Sequence, residues 1–339
     1  MKTFSINLKD EIVGLKKDIN FLDEYAILNE SNTNYDQINL AQLLTPFFTP
    51  SPELFMEEMN DCIKLLKEFI KLESADSDKP IFITDWDGTM KDYCSQYATN
   101  LQPIYSAIGM FKFASQFTRI SAVLTAGPLK GPGILDLTAI PLDGPIVFSG
   151  SWGREWLINE KRVVHEDGIS FEGFNALERL NDEIKELISE NSDFSQFALV
   201  GSGIQRKVDR LTLGVQTVCK HVPEEISIKY QDAIKERMHR VDPEEKILIF
   251  DKSTELEVEV VVGTEDGGVW NKANGVERIV ETMNDTLHGP GKVLICGDTS
   301  SDLPMVQKAN DENEKVSSLF KGKYSKITRN LIQIKYGNG

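Results

Sequence analysis

Two carboxylates stand two residues apart where an apolar run ends. The run Pro80-Ile81-Phe82-Ile83-Thr84 leads into Asp85-Trp86-Asp87-Gly88-Thr89. It reads as a buried strand, and Gly88 punctuates its end. Side chains on an extended chain alternate with a period of two, so Asp85 and Asp87 are expected to point the same way. Like charges that close repel unless a cation or a shared proton holds them. Packing gives little reason to build such a pair. Chemistry on a phosphate, with a divalent cation, gives a good one. Two more acids, Asp298 and Asp302, follow a second apolar run, Val293-Leu294-Ile295-Cys296. Thr125 follows a third, which ends at Leu124.

These residues need elements to position them. From Pro80 onward, strands are expected at 80–85, 119–124, 145–148 and 292–296, with helices near 100–117 and 274–287. Strands alternating with helices imply the α/β class, a parallel sheet covered by helices. Sites in such sheets gather at the carboxyl ends of strands. Asp85, Thr125 and Asp298 all fall at that place. Residues 157–264 read differently. Helix patterns at 172–190 and 224–238 are mixed with β-rich runs at 197–200, 211–218, 247–250 and 256–262. An α+β insert between two parts of a sheet domain suggests a cap over the active site. Hinges are expected near 156–159 and 263–268, the latter rich in glycine.

Residues 1–75 look helical and separate. Ile6, Leu8, Ile12, Leu15, Ile19 and Leu22 roughly follow helical spacing. A second helix should open at Ser51-Pro52-Glu53 and place Leu54, Met56, Met59, Ile63, Leu66 and Ile70 towards one side. Two readings stand: an appendage packed on the enzyme, or a coiled-coil arm for self-association or partner docking. The expected organisation is an extension over 1–75, a first core part over 76–156, a cap over 157–264 and a second core part over 265–339.

Composition narrows the function classes. A net charge of −16 argues against a nucleic-acid or anionic-membrane surface. It also means that an anionic substrate needs local help from a metal and a few cations. The four cysteines form no CxxC, so no thiolate metal site or redox motif follows. No apolar stretch approaches about 18 residues, and the N-terminus carries no apolar signal core. A cytoplasmic location is expected.

The ordered set Asp85-x-Asp87-Gly88-Thr89, Leu124-Thr125, Lys272 and Gly297-Asp298-x-x-x-Asp302 resembles the four motifs of the haloacid dehalogenase (HAD) superfamily of phosphohydrolases. Within it, Ser149-Gly150-Ser151-Trp152-Gly153-Arg154-Glu155 resembles a Gly-rich segment of the trehalose-6-phosphate phosphatase family. Gln205-Arg206-Lys207 is similar to that family's cap Glu-x-Lys, and Leu256-Glu257-Val258-Glu259 to its late cap strand with a sugar-binding Glu. The wording of residues 80–310 is most similar to roundworm members. Three departures stand out. Gly214 and Gln216 occupy positions where many members have His and Arg. Lys272-Ala273-Asn274-Gly275 replaces the usual Lys-Gly, and Gly297-Asp298-Thr299 replaces Gly-Asp-Asp.

The resemblance implies a Rossmann-like parallel-sheet core with an inserted α+β cap and an N-terminal helical extension. It implies hydrolysis of trehalose 6-phosphate through an aspartyl-phosphate on Asp85. Asp87 would act as general acid and base, with Thr125 and Lys272 on the phosphoryl group. Mg²⁺ would be held by Asp85, the Asp87 backbone carbonyl and Asp298, with Asp302 behind them orienting a metal water or Lys272. Arg154, Lys207, Arg210, Glu257 and Glu259 would bind the sugar phosphate. Plain alternatives stay open: Lys207 and Arg210 as a solvated cap face, Glu257 and Glu259 as an exposed strand face. So do other activities: a phosphatase for sucrose-phosphate or a mannosyl-phosphoglycerate, a sugar phosphomutase, or a non-catalytic scaffold.

Overall fold

The computed structural model describes residues 8–30, 38–47, 51–71, 79–94, 96–252, 254–263, 270–289 and 291–320. The N-terminal helices are α1 (Lys9–Glu30), α2 (Leu40–Leu44) and α3 (Pro52–Phe69). Ser51 caps α3 through its side chain, with Pro52 in the first turn. The core follows as β1 (Ile81–Thr84), α4 (Ile104–Phe117), β2 (Ile120–Leu124), α5 (Ile134–Leu137), β3 (Val147–Gly150), β4 (Glu155–Ile158) and β5 (Lys161–Val164). The insert comprises α6 (Phe171–Glu190), β6 (Ile204–Arg206), β7 (Arg210–Gly214), α7 (Glu224–Val241), β8 (Leu248–Asp251) and β9 (Glu257–Val262). The chain returns to the core with α8 (Lys272–Thr282), β10 (Val293–Gly297), α9 (Leu303–Glu312) and β11 (Val316–Phe320).

The expected α/β class is what the structure shows. Seven strands form one sheet in the order β11-β10-β1-β2-β3-β4-β5. The first five are parallel, and β4 and β5 are antiparallel to their neighbours. Strand β1 is buried on both faces because helices cover both sides. Ile81, Ile83, Ile120, Ala122, Leu124, Val293 and Ile295 meet α8 and α9 on one side. Phe82, Leu294 and Cys296 face the other way and meet Phe69 of α3. Helix α3 is therefore a layer of the core, as the packed-appendage reading requires. Lys292 Nζ ties it down by donating to the carbonyls of Glu68, Phe69 and Lys71 at 3.2, 3.2 and 3.0 Å. The carbonyls of Glu68 and Phe69 are among those that a helix end leaves unpaired.

The insert forms its own four-stranded sheet, β6-β7-β9-β8, with antiparallel neighbours. Helices α6 and α7 pack on it around Leu177, Leu180, Ile184, Tyr230 and Ile234.

Three expectations change. The hinge expected at 156–159 lies in the β4–β5 hairpin, with Trp156 fully buried in the sheet core. The strand expected at 197–200 is a 3₁₀ turn, Ser195–Ala198, whose Phe197 stacks on Tyr230 at 4.0 Å. A short apolar run does not distinguish a strand from another buried segment. Strand β4 and the two edge strands, β5 and β11, were not anticipated; β5 carries Lys161 and Arg162 and lacks an apolar run. The second expected hinge, beyond Gly263, lies outside the described residues.

Gly275 sits one turn into α8 where the helix meets the segment after β3. A Cβ there would lie 2.5 Å from Leu124 Cδ1 and 2.8 Å from the Trp152 carbonyl oxygen. Alanine favours a helix over glycine by about 1 kcal/mol, but overpacking costs about 1–3 kcal/mol. The steric term wins. Gly275→Ala is expected to lower the denaturant midpoint without changing its slope.

Candidate active site

The parallel strands bring the chemistry-bearing residues to one edge of the sheet. Thr84 is in register with Cys296 of β10 and Val123 of β2. Asp85, Asp298 and Thr125 therefore leave three adjacent strands on the same side. The Asp85 N–H donates to the Cys296 carbonyl at 2.9 Å, which fixes the exit of β1 against β10.

Lys272 is the first residue of α8 and is 1% exposed. Its ammonium contacts Asp85 Oδ1 and, at 2.5 Å, Asp302 Oδ1. Burial works against that charge, but the two carboxylates outweigh it and hold Lys272 above its ordinary pKa. Burial pushes the Asp85 carboxyl up to about 7, with the Lys272 charge pulling the other way. Asp302 is saturated. Its Oδ2 accepts the amides of Asp298 and Thr299 at 3.1 and 2.9 Å and the Thr299 hydroxyl at 3.1 Å. Asp302 thus orders Lys272 and the loop bearing Asp298 together.

Oxygens of Asp85, Asp298 and Asp302 lie within 4.8 Å of one another. All are hard donors of the kind Mg²⁺ takes. With Asp302 committed to Lys272 and the backbone, Asp85 and Asp298 are the carboxylates that fit a cation. Gly88 makes their approach possible. It adopts φ +83°, and a Cβ would lie 2.1 Å from Asp298 Oδ2. Tyr93 stands beside it. Burial and then the Asp298 charge raise its phenol well above the ordinary range, so it remains a donor. Thr125 is 1% exposed and accepts the Gly127 amide at 3.1 Å, leaving its hydroxyl hydrogen to donate.

Asp87 has a cationic partner of its own. Its Oδ1 lies 3.0 Å from Lys91 Nζ. The expected repulsion within the Asp pair is relieved by a different ammonium on each acid, Lys272 and Lys91. Sequence reasoning missed Lys91, although its place four residues after Asp87 was a readable signal.

Of the cap residues, Lys207, Arg210 and Glu259 are buried rather than solvated, and Glu257 is half-buried. Glu259 accepts from Arg210 Nη1 at 2.9 Å and from the Thr212 hydroxyl at 2.8 Å, and Lys207 Nζ is 3.4 Å away. Burial opposes the Glu259 charge, but Lys207 and Arg210 outweigh it and pull its pKa down to about 2. Glu257, two residues earlier on the strand, accepts from the Ser202 hydroxyl. Arg210 also grips Asp209 through two hydrogen bonds of 3.0 and 2.9 Å. Asp209 in turn lies 3.4 Å from Arg154 Nε. Arg154 Nη1 donates to the carbonyls of His165 and Asp167, and its guanidinium lies 4.2 Å from the Trp270 ring, while its buried Nε has no hydrogen-bond partner among the described residues.

Trp152 joins the two halves and was also missed. Its ring lies 6.0 Å from Lys272 Nζ and 5.4 Å from the Arg210 guanidinium carbon. Ser151 and Trp152 both take left-handed backbone angles, φ 53° and 60°. Such angles are costly for non-glycine residues and gather at functional sites.

Residues 82–337 match the sequence model of the C-terminal region of trehalose-6-phosphate phosphatases. The chain belongs to the trehalose-6-phosphate phosphatase family. A trehalose-phosphatase of Brugia malayi is 58% identical over 337 residues, covering 97% of this chain and 68% of that protein. Those of Caenorhabditis elegans and Caenorhabditis briggsae are 52% and 54% identical, over 98% and 94% of this chain and 76% and 74% of theirs. Trehalose-6-phosphate phosphatase membership makes the chain a phosphatase. Among the described residues no helix is long and apolar enough to cross a membrane.

Two outcomes follow from the site's electrostatics. Removing one partner of a buried ion pair costs about 3–5 kcal/mol, so Asp302→Ala should lower unfolding stability on that scale in a denaturant titration. Glu259 has a depressed pKa, so its stabilisation is complete above about pH 4.5, where the unfolded carboxyl is ionised. It is lost as pH falls towards about 2. Glu259→Gln should be less stable than the parent at pH 7, and the gap should close over that acid window in pH-dependent melting.

Proposed function

We propose that this chain hydrolyses trehalose 6-phosphate to trehalose and phosphate by way of an aspartyl-phosphate on Asp85. The observation that carries the reading is the buried Asp85–Lys272–Asp302 group at the carboxyl edge of the sheet, beside Asp298 and Thr125.

Asp85 attacks phosphorus as the bond to the sugar oxygen breaks. Covalent capture splits one hard hydrolysis into two easier steps. Asp87 protonates the departing oxygen, then takes a proton from the water that cleaves the aspartyl-phosphate. Lys272 holds positive charge where the transition state gathers negative charge, and Thr125 donates to a phosphoryl oxygen. Mg²⁺ held by Asp85, Asp298 and the Asp87 carbonyl would neutralise carboxylate and phosphate charge. Lys207, Arg210, Glu257 and Glu259 offer both charge signs to the sugar phosphate from the cap. Arg154 also clasps cap to core, because its Nε lies 3.4 Å from Asp209 of the cap and its Nη1 donates to the carbonyls of His165 and Asp167. The cap is best drawn from α6 to β9, since β4 and β5 belong to the core sheet.

A panel of sugar phosphates with released phosphate measured tests the substrate. Trehalose 6-phosphate should exceed sucrose and mannosyl esters by tenfold or more, and a tenfold preference for another ester would overturn the reading. Asp85→Asn should lower kcat by at least about 10³-fold, and a chelator should abolish turnover until Mg²⁺ is restored.

A further inference from the structure

The Lys91 ammonium is buried. Its side chain is 0% exposed, and that of Asp87 is 20% exposed. Besides Asp87 Oδ1 at 3.0 Å, it donates to the Asn100 carbonyl at 2.8 Å. Its Nζ lies 5.8 Å from the Trp86 ring and 5.2 Å from the Tyr97 ring. The backbone closes the same loop, with the Gly88 N–H donating to the Lys91 carbonyl at 2.9 Å. The ammonium is thus fixed from several sides, and one carboxylate oxygen of Asp87 is fixed by it.

That matters because a carboxylate torsion is soft and broadly populated. General acid catalysis, by contrast, needs the proton within hydrogen-bond reach of the leaving oxygen, and small misplacements are costly. We propose that Lys91 is a positioning residue for the acid–base step: it pins Asp87 by Oδ1, so that Oδ2 carries the proton to the leaving oxygen. This rests on the acid–base role given to Asp87. In the first step the Asp85–phosphorus bond forms, the phosphorus–sugar oxygen bond breaks, and the Oδ2 proton passes to the sugar oxygen. In the second step water attacks phosphorus, the Asp85–phosphorus bond breaks, and a water proton passes to Oδ2. Lys91 keeps its own protons throughout.

A merely structural Lys91 would, when lost, harm every substrate alike. A residue acting through the general acid harms only substrates whose leaving group needs a proton. Trehalose 6-phosphate leaves as a poor alkoxide, whereas p-nitrophenyl phosphate leaves as a stable phenolate. The quantity to compare is kcat/KM, which covers steps up to phosphoryl transfer. Lys91→Met should lower kcat/KM about 30-fold or more for the sugar ester, and less than about threefold for the aryl ester. Asp87→Asn should show the same split in both esters. The double variant should be no worse than Asp87→Asn alone, because the two act as one unit. That double variant leaves no unpaired buried charge, so it remains informative if Lys91→Met does not fold. Equal loss on both esters, or a further loss in the double variant, overturns the role of Lys91. If Asp87→Asn shows no split between the esters, the acid role of Asp87 falls, and the positioning role falls with it.

Discussion

A buried ammonium held between two buried carboxylates is the constraint on which the rest of this structure depends. Lys272 opens α8, where the helix macrodipole is positive and disfavours a cation. It also lies out of water, which disfavours it again. Only close contact with Asp85 and Asp302 offsets both. The start of α8 must therefore sit against the ends of β1 and β10. The local sequence is arranged for that: Asn271 and Asn274 form a reciprocal cap, and Gly275 lets the helix lie against Leu124 and Trp152. Asp302 then passes the order on through its second oxygen to the loop that carries Asp298.

The cap is joined to this group by contacts of several kinds. Arg154 reaches Asp209, the Val208 amide donates to the Ser151 hydroxyl, and the Tyr97 amide donates to the Gly201 carbonyl. Trp152 stands between the Lys272 ammonium and the Arg210 guanidinium. The residues proposed for sugar recognition and for phosphoryl chemistry thus share one indole. Its strained backbone is held by hydrogen bonds from Trp152 N–H to the Thr125 carbonyl and from Trp270 Nε1 to the Trp152 carbonyl.

The core was legible because its strands are short apolar runs that end in polar residues, a pattern that survives without tertiary context. Asp85, Thr125 and Asp298 were found that way, whereas Lys272, at a helix start, came only with the resemblance. The edge strand β5 was not legible because Lys161 and Arg162 interrupt any apolar pattern. The hinge at 156–159 was misread because a polar Asn-Glu turn marks a hairpin as readily as a linker. Lys91 and Asp209 were missed for a common reason. A charged residue beside other charged residues reads as surface, and only packing reveals that each is buried with a partner. The partner of Glu259 was half seen, since its strand alternation gave the face but not what lay against it.

The position of α3 has a consequence for the order in which this chain assembles. Phe69 is made before β1, yet the Phe82–Leu294–Cys296 surface that covers it is complete only when β10 has been synthesised. Lys292, which secures the end of that helix, lies 223 residues after Phe69. An amphipathic helix without its sheet has little stability of its own. Its apolar side must stay exposed on the ribosome while the core strands, the insert and α8 are made. Such long delays expose a chain to aggregation. The helix that seals the sheet is translated before every strand it covers, and is one of the last segments that can be locked in place.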